Sequence, residues 1–87
     1  MADANLVKAK ATIMKLFFEY DITEGMILLR KLVEKEVPNY SIHEAAAKEL
    51  AAEGYLSSAI SRDGEPGYRL TGTGAGVAWS GQWKNWA

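Results

Sequence analysis

The first apolar positions along the chain recur at three- and four-residue steps. Leu6, Ala9, Ile13, Leu16, Phe17 and Tyr20 share one side of a helix, and Lys8 and Lys15 fall off it. This spacing predicts a first helix within residues 1–20, with Asp3 as its N-cap. Phe18 lies beside the stripe and widens it, as in a helix covered on two sides. A second helix is expected over residues 23–36. Thr23 would cap it, Ile22 and Ile27 would form a hydrophobic staple, and Met26, Leu29, Leu32 and Val33 would continue its apolar face. Pro38 ends it, because the residue before a proline avoids the α region.

Ser41 and Glu44 have the spacing of a capping box, which predicts a third helix over residues 41–53. Ile42, Ala46 and Leu50 would form its inner face, flanked by Ala45. Gly54 is placed to close it as a left-handed C′ residue. The period then becomes alternating: Leu56, Ser58 and Ile60 point one way, Ser57 and Ala59 the other. Turn formers fill residues 62–67. A return segment follows with Tyr68 and Leu70 inward and Arg69 and Thr71 outward. Residues 55–71 therefore read as a β-hairpin with a long loop.

The tail, residues 73–87, carries opposed signals. Gly72, Gly74, Gly76 and Gly81 each weaken a helix by roughly 1 kcal/mol against alanine. Trp79, Trp83 and Trp86, at i, i+4 and i+7, lie on one helical face. A short terminal helix beginning near Thr73, capped by Thr71 or Thr73, is the expectation. With no repeat and no linker, residues 1–87 form one α+β domain.

Composition narrows the chemistry. The chain has no cysteine and one histidine, His43, which excludes thiolate catalysis, disulfides and multi-histidine metal sites. No acid–base pair is recognisable, and Gly72-Thr73-Gly74-Ala75-Gly76 lacks the lysine and spacing of a phosphate loop. An enzyme is not expected, nor a cofactor. No signal peptide or run of about 20 apolar residues is visible, so a cytoplasmic protein without membrane contact is expected. The formal net charge is −1, without the basic excess of a compact DNA-binding module.

The order helix, helix, helix, strand, turn-rich loop, strand resembles a winged helix-turn-helix domain whose first short strand is missing or reduced. The residues that carry the likeness are Leu50, Glu53-Gly54-Tyr55-Leu56, and Tyr68-Arg69-Leu70-Thr71 with Gly74. They are similar to a stretch of the PadR-like and MarR-like bacterial regulators, over roughly residues 23–76. The resemblance implies a DNA-binding transcriptional regulator. Its third helix would enter the major groove with Tyr40, Ser41, His43, Glu44, Ala47 and Lys48, and its wing would touch phosphate with Ser61, Arg62 and Arg69. His43 could equally be an exposed polar residue of the first turn. The chain departs from the pattern between Ser41 and Glu53, where one lysine stands against Glu44, Glu49 and Glu53. DNA affinity rests largely on lysine and arginine neutralising phosphate. The alternative is therefore a winged-helix module that binds protein, as an adaptor or assembly factor. Phe17, Phe18, Trp79, Trp83 and Trp86 are the candidate dimer or partner interface, because tryptophan is enriched at binding hot spots.

Overall fold

The spacing read as the first helix places Ala9, Ile13, Leu16 and Phe17 on a buried face of α1 (Ala4–Glu19), with Met14 buried beside them, whereas Tyr20 falls after the helix and is exposed. The computed structural model describes residues 4–86, so the expected Asp3 cap lies outside the described residues. α1 packs mainly on α3 (Tyr40–Ala52). Ala9 on α1 and Ala46 and Ala47 on α3 are buried, and small side chains at such a contact let two helices approach closely. Leu50 completes the α3 face, and Ala47 rather than Ala45 flanks it.

The second helix is shorter than its pattern predicts. Residues 23–26 form a turn in which Gly25 takes φ +86° and Met26 N–H donates to the Thr23 carbonyl (3.0 Å). Ile27–Leu29 is a strand, β1, and α2 spans only Arg30–Glu36. Over so few residues a buried strand and a helix face have the same apolar signature. The Thr23 hydroxyl meets the Met26 sulfur at 3.1 Å instead of capping a helix. Leu29 precedes α2 with no side-chain cap.

β1, β2 (Leu56–Ile60) and β3 (Pro66–Leu70) form an antiparallel sheet in the order β1-β3-β2. The expected hairpin is β2–β3, and β1 is an addition to it. Leu28, Tyr68 and Ser58 lie in one cross-strand row, and Leu56 opposes Leu70 on the same side. That side meets the helices: Leu28, Leu56 and Leu70 join Ile13, Phe17, Val33 and Leu50 in the core. Ile27, Arg69 and Ser57 form a row on the opposite side.

Two turns fix the seam between helices and sheet. After α3, Gly54 takes φ +88°, Tyr55 N–H donates to the Leu50 carbonyl (2.9 Å) and Gly54 N–H to that of Ala51 (3.1 Å). This pair of bonds is a Schellman closure, and it sends the chain directly into β2. After β3, Thr71 caps α4 (Gly72–Ser80) by accepting from Gly74 N–H at 3.0 Å. Its hydroxyl donates to the Gly54 carbonyl at 2.6 Å, which ties the two turns together. Gly81, at φ +79°, ends α4, and a 3-10 turn over Gln82–Asn85 follows. The three tryptophans therefore do not share one helical face. Among the described residues no helix is long and apolar enough to cross a membrane.

Candidate functional site

The exposed side of α3 borders a groove of about 450 Å³, lined by Arg30, Glu44 and Lys48 on one flank and Ser58, Ile60 and Tyr68 on the other. Tyr40 opens α3. Its hydroxyl lies 3.0 Å from that of Tyr68, and the Arg30 guanidinium sits 5.0 Å from its ring centre. Burial, followed by the bond to Tyr68, pushes the Tyr40 phenol well above its ordinary range and keeps it neutral.

The capping box does not form. Asn39 precedes α3 with no side-chain cap, and Ser41 donates to Asn39 Oδ1 at 2.9 Å. Glu44 turns instead to Arg30 (3.2 Å) and Lys48 (3.9 Å). His43 is buried with Nδ1 2.7 Å from the Asn39 carbonyl, so it is neither an exposed polar residue nor part of the outer face of α3. Ala47 is buried as well. Of the helix-side candidates, Ser41 and Lys48 stand at the surface, and the Lys48 side chain is 79% exposed.

The wing residues separate. Arg62 is exposed in the β2–β3 turn and forms no ion pair among the described residues. Ser61 braces that turn: its N–H donates to the Glu65 carbonyl (2.7 Å) and its Oγ accepts from Glu65 N–H (3.1 Å). Glu65 pairs with Lys31 at 2.8 Å. Arg69 shares a row with Ile27 and Ser57, so it lies on the sheet side opposite Tyr68 and away from the α3 groove. The six residues Tyr40, Ser41, His43, Lys48, Arg62 and Arg69 therefore do not make one surface.

The aromatic candidates divide too. Phe17 is fully buried and belongs to the core, not to an interface. Phe18 and Trp79 are 43% and 41% exposed, with ring centres 5.2 Å apart. The Trp79 indole N–H donates to the Ile22 carbonyl at 2.9 Å, so the ring is held in place and its polar atom satisfied. Trp83 is half-buried and donates to the Ala78 carbonyl at 3.0 Å. Trp86 packs near Tyr55, with ring centres 5.9 Å apart, and Lys10 approaches it at 5.8 Å.

Met26, expected on the apolar face of the second helix, is 49% exposed in the turn before β1, and neither it nor Ile60 was expected at the surface. The alternation placed Ile60 correctly on the Leu56 side of β2. The hairpin runs past the helices, however, and leaves Ile60 64% exposed at the groove rim. Among the described residues no group of three or more histidines, aspartates and glutamates could hold a metal ion. Comparison with family models, with curated proteins and with solved structures finds no match to this chain.

Proposed function

We propose that the chain is a winged-helix domain that binds protein through the exposed aromatic side of α1 and α4, with a second copy of the chain as the first partner to test. The element order and the placement of β3 between β1 and β2 support the winged-helix reading, as does the Schellman turn from α3 into β2. The observation that carries the protein-binding reading is the charge of α3. Its one cation, Lys48, stands 3.9 Å from Glu44, and Glu44 is also held by Arg30. A helix placed against phosphate draws its affinity from several lysines or arginines, and this one carries a single lysine against Glu44 and Glu49. Phe18 and Trp79 offer what a protein partner uses: two large, positioned, half-exposed rings.

Sedimentation of the wild type against Phe18→Asp tests the proposal. The expected result is a concentration-dependent dimer that the substitution converts to monomer. A wild type that stays monomeric at every concentration removes the second copy as partner.

One observation favours the other reading. Arg62 projects from the wing without an ion-pair partner among the described residues, and Lys48 is the most exposed cation beside the groove. Titration with generic duplex DNA from low to physiological salt separates the two. DNA reading requires binding that weakens steeply with salt and is lost in an Arg62→Ala/Arg69→Ala variant. No binding at low salt leaves the protein-binding reading alone.

A further inference from the structure

A strongly cationic cleft lies away from α3. It is a depression of about 310 Å³ between α1 and the C-terminal 3-10 turn, lined by Lys8, Ala11, Thr12, Lys15, Trp83 and Lys84. Three lysines line a single small volume with no carboxylate among the lining residues. Four other clefts that contain a lysine or arginine each include a glutamate: Glu44 beside Arg30 and Lys48, Glu36 beside Lys8, Glu34 and Glu65 beside Lys31, and Glu53 beside Lys10. Lys15 alone of the three has a carboxylate within reach, Glu19 at 3.4 Å, in an exposed i, i+4 pair that is weak and easily exchanged. Lys8 and Lys84 form no ion pair among the described residues.

Trp83 gives the cleft a second chemistry. Its indole N–H already donates to the Ala78 carbonyl, so what it offers a ligand is ring surface rather than a hydrogen bond. The Lys84 ammonium lies over the ring, 5.5 Å from its centre, which sets positive charge at one face of the indole. Gly81 makes this possible: its left-handed turn reverses the chain after α4 and folds Trp83 and Lys84 back toward α1. Lysine is a point-charge binder of phosphate, and aromatic rings stack with flat heterocycles without regard to their hydrogen-bond pattern. The volume is at the lower end of the roughly 300–1,000 Å³ typical of small-ligand sites. We propose that this cleft binds a phosphate group attached to a planar ring, the chemistry of a nucleoside phosphate, either free or as a unit of a single strand.

Tryptophan fluorescence provides the test, with adenosine monophosphate, inorganic phosphate, adenosine and a short single-stranded oligonucleotide as probes. The monophosphate is expected to quench emission, and raised salt to weaken binding. Lys8→Ala/Lys84→Ala is expected to reduce its affinity at least tenfold, while Lys35→Ala at the end of α2 leaves it unchanged. The double variant is checked by far-UV circular dichroism, and the single change Lys84→Gln, which removes the charge but keeps a polar side chain, should give an intermediate loss. Trp83→Phe should remove most of the quench. A per-nucleotide affinity several-fold higher for the oligonucleotide identifies a strand as the source, and equal affinities identify the free nucleotide. Adenosine or inorganic phosphate binding as well as the monophosphate overturns the proposal. So does unchanged affinity in the folded double variant, or a quench that survives in Trp83→Phe.

Discussion

Gly74→Ala separates helix propensity from packing at one position. Gly74 lies in the first turn of α4, and in a helix interior alanine is favoured over glycine by roughly 1 kcal/mol. Propensity alone therefore makes the substitution stabilising. The structure reverses the sign. A Cβ on Gly74 would run into the Tyr55 carbonyl oxygen, stand 2.8 Å from the carbonyl carbon and 2.9 Å from Leu70 Cδ1. The carbonyl has little freedom to retreat, because it accepts from Thr71 N–H at 3.2 Å and lies 3.0 Å from the Thr71 hydroxyl. Overpacking of this kind costs about 1–3 kcal/mol. Loosening a Thr71 contact adds roughly 1 kcal/mol. With the propensity gain subtracted, the net loss is about 1–3 kcal/mol. Gly76 is the internal control: it lies in the same helix, is exposed, and a Cβ there meets nothing within 4 Å. Gly76→Ala should raise stability by about 0.5–1 kcal/mol. Urea unfolding of the three proteins at equal m-value measures the difference. The thermal midpoint should fall by about 4–8 °C per kcal/mol lost in Gly74→Ala and rise in Gly76→Ala. A Gly74→Ala protein as stable as Gly76→Ala would refute the close approach of α4 to the α3–β2 turn.

Leu50→Ala should cost about 2–5 kcal/mol in urea unfolding, because Leu50 is fully buried at the junction of α1, α3 and the sheet. Gly54→Ala, at φ +88° with open space around it, should cost about 1–2 kcal/mol from backbone conformation alone, with circular dichroism unchanged. Stability should also fall as pH rises past 10.0, the ordinary tyrosine value. The folded state holds the Tyr40 phenol neutral above that pH while the unfolded chain ionises, so alkali favours unfolding. In Tyr40→Phe that alkaline slope should shrink, and a slope identical to wild type would mean that Tyr40 titrates alike in both states.

The parts of the fold legible in the sequence are those that repeat a period long enough to be distinctive. Sixteen residues of α1 and the Leu50-to-Gly54 closure are of this kind. Strand β1 was not, because Ile27-Leu28-Leu29 is too short to carry a period and its partner, Gly67-Tyr68-Arg69, is remote in sequence. The capping box failed chiefly for a tertiary reason: Arg30 of α2, with Lys48 one turn along α3, holds Glu44 in place of the Ser41 backbone. The i, i+4, i+7 spacing of the tryptophans misled because it assumed a continuous helix through Gly81. For the site, residue type identified Lys48 and Arg62 as surface cations, but burial of His43 and Phe17 depends on how α3 and α1 meet, which no single segment encodes. The lysine cleft joins residues 8–15 to residues 83–84 and has no local signature at all.

The central place of β3 bears on how the molecule is made. Both outer strands hydrogen-bond to β3 and to no other strand, and β3 is the last of the three to leave the ribosome. During synthesis β1 and β2 must wait unpaired while α1, α2 and α3 are already free to coil. Closing β1 onto β3 also draws together segments separated by two helices and a strand, a loop closure that slows folding. Chain growth past Leu70 is therefore the moment at which the sheet can zip, and an arrest before it would leave Ile27–Leu29 and Leu56–Ile60 as orphan edges open to wrong partners.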